Sequence, residues 1–135
     1  MTESNRTVLC VDDDLDDREL VRFTINNIDA NIEVVYAQNG VEAIDYLAKA
    51  QTENDLPCLV IMDINMPQMD GKETLAVIKE NEHLNDLPVV IFSTSNSEID
   101  KLYCSNFGVN LITKPNDIKS LHKEIKIVLH HCGDS

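Results

Sequence analysis

The chain has no tryptophan, only three tyrosines, three phenylalanines, four glycines and four prolines, and 11 Lys+Arg against 24 Asp+Glu. The shortage of bases leaves a formal net charge of −13, which argues against binding to a nucleic-acid backbone or an anionic membrane, since both reward Lys and Arg. Long apolar runs are also missing. Leu59 to Met62 and Val89 to Phe92 are typical, far below the roughly 20 residues that cross a bilayer. The opening Met-Thr-Glu-Ser-Asn-Arg lacks the apolar stretch of a secretory signal, so the expectation is a cytoplasmic chain with reduced thiols. The four cysteines, Cys10, Cys58, Cys104 and Cys132, are far apart and include no Cys-x-x-Cys; they are read as ordinary free thiols. His130 and His131 beside Cys132 point to different faces of a helix and are read as a solvated helix end rather than a metal site. No Gly-x-x-x-x-Gly-Lys or Gly-x-Gly-x-x-Gly is present, which removes support for ATP or dinucleotide binding.

What is present suits one compact domain: 135 residues, 43% hydrophobic and 26% charged, with enough apolar material for a core and no sign of disorder. Short β-branched runs alternate with longer amphipathic stretches, the pattern of a parallel α/β fold. The spacing predicts strands at Thr7 to Val11, Ile32 to Ala37, Leu59 to Met62, Val89 to Phe92 and Asn110 to Thr113. Helical faces are marked by Leu20, Val21, Thr24 and Ile28, by Val41, Ile44, Leu47 and Ala48, and by Leu75 and Ile78. Two more follow, with Ile99, Leu102 and Tyr103 in one and Ile118, Leu121, Ile125, Val128 and Leu129 in the other. Asn39-Gly40 and Asp70-Gly71 read as loop punctuation. The expected division is a tail at 1–6, a doubly wound α/β domain at 7–132 and a tail at 133–135.

Ligands of such sheets sit at the carboxyl ends of the strands. The first strand runs into Asp12-Asp13-Asp14, the third into Asp63, the fourth into Ser93-Thr94 and the fifth into Lys114-Pro115. Asp14 and Asp16 are expected to cap or flank a helix N-terminus. Asp12, Asp13 and Asp63 would converge if the first and third strands are neighbours, and their repulsion calls for a cation. An oxygen-only donor set open to phosphate suits Mg²⁺. A carboxylate beside Mg²⁺ is a plausible nucleophile toward phosphorus, Lys114 supplies a point charge and Ser93 a hydroxyl. Met62, Met66 and Met69 are read as packing or loop residues.

These motifs, Val-Asp-Asp-Asp at 11–14, Met-Asp-Ile-Asn-Met-Pro-Gln-Met-Asp-Gly at 62–71, Ser-Thr at 93–94 and Lys-Pro at 114–115, resemble those of a response-regulator receiver domain of two-component signalling. The resemblance implies a flavodoxin-like (βα)5 fold with strand order 2-1-3-4-5. It also implies Asp63 as phosphoacceptor, Asp13 as a direct Mg²⁺ ligand, Asp12 as a ligand acting mainly through water, and Asn65 offering its backbone carbonyl. Ser93 matches the hydroxyl-bearing switch position and Lys114 the phosphoryl-contacting base, and the Lys114-Pro115 bond is expected to be cis. Leu111 stands where the family usually has an aromatic switch residue, so any response is expected from backbone movement after Ser93 and in the fourth helix. The long loop before the third strand and Phe-Ser-Thr-Ser at 92–95 are similar to the stand-alone receivers paired with bacterial phytochrome kinases.

The resemblance implies a signalling module rather than an enzyme, phosphorylated by a sensor histidine kinase, a histidine phosphotransfer protein or small phosphodonors, and acting as a monomer or weak homodimer. The fifth helix uses the chain almost to its end. The output is therefore expected through another protein or by onward phosphotransfer. The competing reading is a Mg²⁺-dependent phosphatase with an aspartyl nucleophile, which usually needs an acid two residues after the nucleophile, where this chain has Asn65.

Overall fold

The computed structural model describes residues 6–95 and 97–133. Five strands, β1 (Thr7–Val11), β2 (Glu33–Ala37), β3 (Leu59–Met62), β4 (Val89–Ser93) and β5 (Leu111–Thr113), form one parallel sheet in the order β2-β1-β3-β4-β5. They alternate with helices α1 (Leu15–Ile28), α2 (Gly40–Thr52), α3 (Gly71–Glu80), α4 (Glu98–Asn106) and α5 (Ile118–Val128), and a 3-10 turn at Leu129–Cys132 follows. This is the expected doubly wound fold, with strand ends displaced by at most one residue. The expected tails fall almost wholly on 1–5 and 134–135, outside the described residues.

Successive strand residues point to opposite faces, and each face has its own core. Val8, Cys10, Leu59, Ile61, Val90 and Phe92 pack against Val21 and Ile25 of α1 and Leu121, Ile125 and Val128 of α5. Leu9, Val11, Val60, Met62, Val89 and Ile91 pack against Ala43 and Leu47 of α2, Leu75 and Ile78 of α3, and Cys104 of α4. Each fully buried Leu or Ile contributes roughly 2 kcal/mol by leaving water.

Part of the large acidic content goes into helix starts. Asp14, Asn39, Asp70, Ser97 and Asp117 are the N-caps of α1 to α5, each side chain accepting a backbone N–H three residues on, a contact worth about 1 kcal/mol. Asn39-Gly40 and Asp70-Gly71 are thus helix starts rather than loop punctuation, and Asp70 forms a full capping box with Glu73.

Three other expectations are corrected. In α4, Ile99 is 73% and Leu102 63% exposed, because the helix turns Cys104 inward instead. Lys114-Pro115 is trans, as is every bond among the described residues; the trans form is intrinsically preferred. Cys58 and Cys132 are joined in a disulfide, with Cα atoms 5.1 Å apart, because the 3-10 turn after α5 folds back beside the start of β3. Cys10 and Cys104 are free and buried, and burial ahead of the Asp12 charge pushes the Cys10 thiol up to about 12. Near that disulfide the Arg6 guanidinium pairs with Asp29 and donates to the carbonyls of Cys132 (3.4 Å) and Gly133 (3.1 Å).

Candidate functional site

Register brings the site together. Val11 pairs with Met62, so the residues that follow, Asp12 and Asp63, leave neighbouring strands side by side, and the Asp63 N–H donates to the Val11 carbonyl at 2.9 Å. Ser93 pairs with Thr113, so the next residue, Lys114, starts level with the end of β4 and its N–H donates to the Ser93 carbonyl at 2.9 Å. The Lys114 ammonium then reaches back across the sheet to Asp63 Oδ2 (3.3 Å), Asp12 Oδ2 (2.9 Å) and Asp17 Oδ2 (2.7 Å).

Each of the two central carboxylates is held at both oxygens. Asp12 Oδ1 accepts from the Asp14 N–H at 3.0 Å, and Asp63 Oδ1 accepts from the Ile64 N–H at 2.7 Å. Asp12 is buried, Asp63 half-buried and Asp13 exposed, and one carboxylate oxygen from each lies within 4.8 Å of the others. These oxygens fit a hard divalent cation: the donors are carboxylates alone, with no thiolate or imidazole in the group. Asp14 is committed to capping α1 and is not in that group.

One ammonium among three acids gains from all of them, whereas each acid has only a share of it. Burial works against the Lys114 charge, but hydrogen bonds to Asp17 and Asp12 and the charge of Asp63 outweigh it and hold its pKa above the ordinary lysine value. Asp12 moves in the unfavourable direction: burial raises its pKa, opposed by the Asp14 N–H and Lys114 and reinforced by the Asp63 charge.

Ser93 is fully buried, and its Oγ accepts the Ser95 N–H at 3.2 Å, which leaves the hydroxyl proton available as a donor. Asn65 is exposed on the loop after Asp63. Met62 is core, Met66 packs partly against it, and the Met69 carbonyl accepts the Gly40 N–H. His83, His130 and His131 are exposed and do not belong to the acidic group. Leu111 is half-buried against the α2–α3–α4 core.

One contributor escapes a motif-based reading, and a second stands in the 62–71 motif without its packing role being readable there. Asp17 is the third residue of α1, and the signal for it was Asp14: once Asp14 is the cap, the residue three positions on lies above the strand end. Gly71 is the second; a Cβ there would stand 2.2 Å from the Asp63 carbonyl oxygen. Beyond the cleft, Ser95 Oγ donates to Asp100 Oδ2 at 2.6 Å, Asp100 pairs with Lys72 beside Gly71, and the Tyr103 hydroxyl donates to the Lys72 carbonyl at 2.8 Å. The end of β4 and the start of α3 are thereby tied to α4.

The family model described as the response regulator receiver domain matches residues 8–126. Response regulator Rcp1 of Synechocystis is 33% identical over 129 residues, covering 92% of this chain and 88% of that protein. A chemotaxis protein CheY homolog of Campylobacter jejuni is 29% identical, covering 90% and 91%. Among solved structures, the phosphorylated cyanobacterial phytochrome response regulator RcpA superposes with a TM-score of 0.84 at 32% identity, covering 93% of this chain and 92% of that one. The Mn²⁺-bound form of Rcp1 gives 0.81 at 31% identity, with the same coverage.

Proposed function

The chain belongs to the response regulator receiver domain family, which works in two-component signalling, and on that premise we propose that Asp63 is its phosphoacceptor. A phosphoryl group passes from a histidine nitrogen of a sensor kinase or phosphotransfer protein to Asp63, the P–N bond breaking as the P–O bond forms. The observation that carries this reading is the position of Asp63, at a strand end within reach of the Lys114 ammonium and grouped with the carboxylates of Asp12 and Asp13. With Asp63 Oδ1 held by the Ile64 N–H, Oδ2 is the oxygen that attacks. Lys114 then turns its charge to the phosphoryl oxygens and Ser93 donates its free hydroxyl proton to one of them.

Mg²⁺ would be held by the Asp13 and Asp63 carboxylates and the Asn65 backbone carbonyl, with Asp12 acting mainly through water. When bound it offsets the mutual repulsion of the carboxylates and the charge of the transferring group. The phosphatase reading is not favoured, because Asn65 replaces the acid that would protonate a leaving group.

The receiver unit spans 7–132, acts in the cytoplasm as a monomer or weak homodimer, and passes its signal to a protein effector or onward by phosphotransfer. Leu111 has no ring to swing, so the response runs through the backbone after Ser93 and through the Ser95–Asp100–Lys72 tie to α4. Amide exchange with and without beryllofluoride tests this route: protection changes must extend along α4 and not stop at the residues touching the mimic.

The acceptor itself is tested with acetyl phosphate, Mg²⁺ and intact mass. One phosphoryl adduct is expected on the wild type and none on Asp63→Asn, which keeps the side chain's shape and stays folded. An adduct on that variant moves the acceptor elsewhere, and turnover of assorted phosphomonoesters would revive the phosphatase.

A further inference from the structure

Lys114 is shared unequally. Of its three carboxylate partners, Asp17 makes the shortest contact, 2.7 Å, against 2.9 Å for Asp12 and 3.3 Å for Asp63. Asp17 differs from the other two in what else it can do. Asp12 and Asp63 belong with Asp13 to the group that fits a cation, whereas Asp17 lies outside that group. Its backbone is fixed, since the Asp17 N–H donates to the Asp14 cap at 3.1 Å, and its side chain remains 40% exposed at the rim of the cleft. Asp17 therefore holds the ammonium from α1, an element that carries neither the acceptor nor a member of the cation-fitting group.

We propose that Asp17 is a positioning residue for Lys114: it draws the ammonium toward α1 and so limits how fully Lys114 can engage a phosphoryl group on Asp63. The inference rests on Asp63 as acceptor. When a phosphoryl group arrives, its oxygens and Asp17 compete for one ammonium, and the outcome sets how tightly the phosphorylated state is held. Removing the Asp17 charge frees Lys114 for the phosphoryl oxygens. Asp16, exposed and next in sequence, carries the same charge at the same helix end but is not one of the carboxylates that hold Lys114. It provides a control that separates the specific contact from general repulsion.

The test is beryllofluoride affinity in saturating Mg²⁺, read by ¹⁹F NMR on the full chain, for the wild type, Asp17→Asn, Asp17→Glu and Asp16→Asn, with thermal melts to confirm folding. Asp17→Asn is expected to bind the mimic about fivefold more tightly, the size of coupling usual for groups in direct contact. Asp17→Glu returns affinity toward the wild type, and Asp16→Asn leaves it unchanged. Equal effects of Asp16→Asn and Asp17→Asn, or no effect of either, overturn the positioning role. If the wild type itself takes up no beryllofluoride, the acceptor assignment fails instead, so the two ideas are separated by the wild-type measurement alone.

Discussion

Gly71 lies against the backbone of Asp63 so closely that a methyl group on it would stand 2.2 Å from the Asp63 carbonyl oxygen and 2.8 Å from the Ile64 Cα, while the Gly71 N–H donates to the Ile64 carbonyl at 2.7 Å. The obstructing atoms are backbone, which cannot step aside as a flexible side chain would. Gly71→Ala is therefore expected to cost at least about 2 kcal/mol, as overpacking in a tight interior does. It should also reduce phosphoryl uptake in the fraction that remains folded. Urea denaturation gives the first quantity and intact mass the second; an unshifted midpoint would contradict the close approach.

Asp13, exposed at the mouth of the cleft, tests the cation site. A cation that binds the folded arrangement and not the unfolded chain raises the melting temperature by linkage, and Mg²⁺ is expected to do so for the wild type. Asp13→Ala removes a donor without opening a buried hole and should abolish most of that rise. A Mg²⁺ shift of undiminished size in the variant would place the cation elsewhere.

Asp12 makes stability depend on pH in a definite direction. Its pKa is raised in the folded chain, first by burial, so the native state holds this proton more tightly than the unfolded state does. That contribution is fully present below the ordinary value of 3.8 and is lost as pH rises through the raised native value. Asp12→Asn cannot ionise and still accepts hydrogen bonds. In EDTA at pH 7 it should melt above the wild type, and the gap should close below the ordinary aspartate range. A gap that is constant with pH, or of opposite sign, refutes the burial argument.

The Cys58–Cys132 disulfide spans 74 positions of sequence. Closing a loop of that length restricts the unfolded chain, and reduction or Cys58→Ser should lower stability by about 4 kcal/mol. Denaturing alkylation followed by intact mass should add two labels to the oxidised chain, at Cys10 and Cys104, and four after reduction. Four labels without reductant would mean the bond does not form in solution.

Local pattern made much of this legible. β1 and β3 follow from short apolar runs bounded by polar residues, and both end where the composition changes to Asp12 and Asp63. The acidic group follows once those strands are neighbours. What escaped depends on distance through space. Nothing near Cys58 announces Cys132, because the pair meets only when the turn after α5 folds back. Asp17 looks like another acidic residue of a first turn until Lys114 arrives from the far side of β4. Ile99 and Leu102 satisfy a helical period, yet the face that α4 buries is set by Cys104 and by the tie from Asp100 to Lys72. Asn39 and Asp70 were ambiguous because the same Asx-Gly pair serves a turn or opens a helix, and the outcome is decided by the apolar residues that follow.

The contact from the Arg6 guanidinium to the Gly133 carbonyl, 3.1 Å, puts the two ends of the described chain against each other at the opposite end of the sheet from Asp63. The described residues thus trace a path nearly closed on itself. A short flexible linker could join residue 133 to residue 6, and the chain could be reopened in the 53–57 connection between α2 and β3. Such a circular permutant would keep every strand neighbour and leave the acidic cleft intact. It would also carry fused reporters at the end of the sheet opposite that cleft.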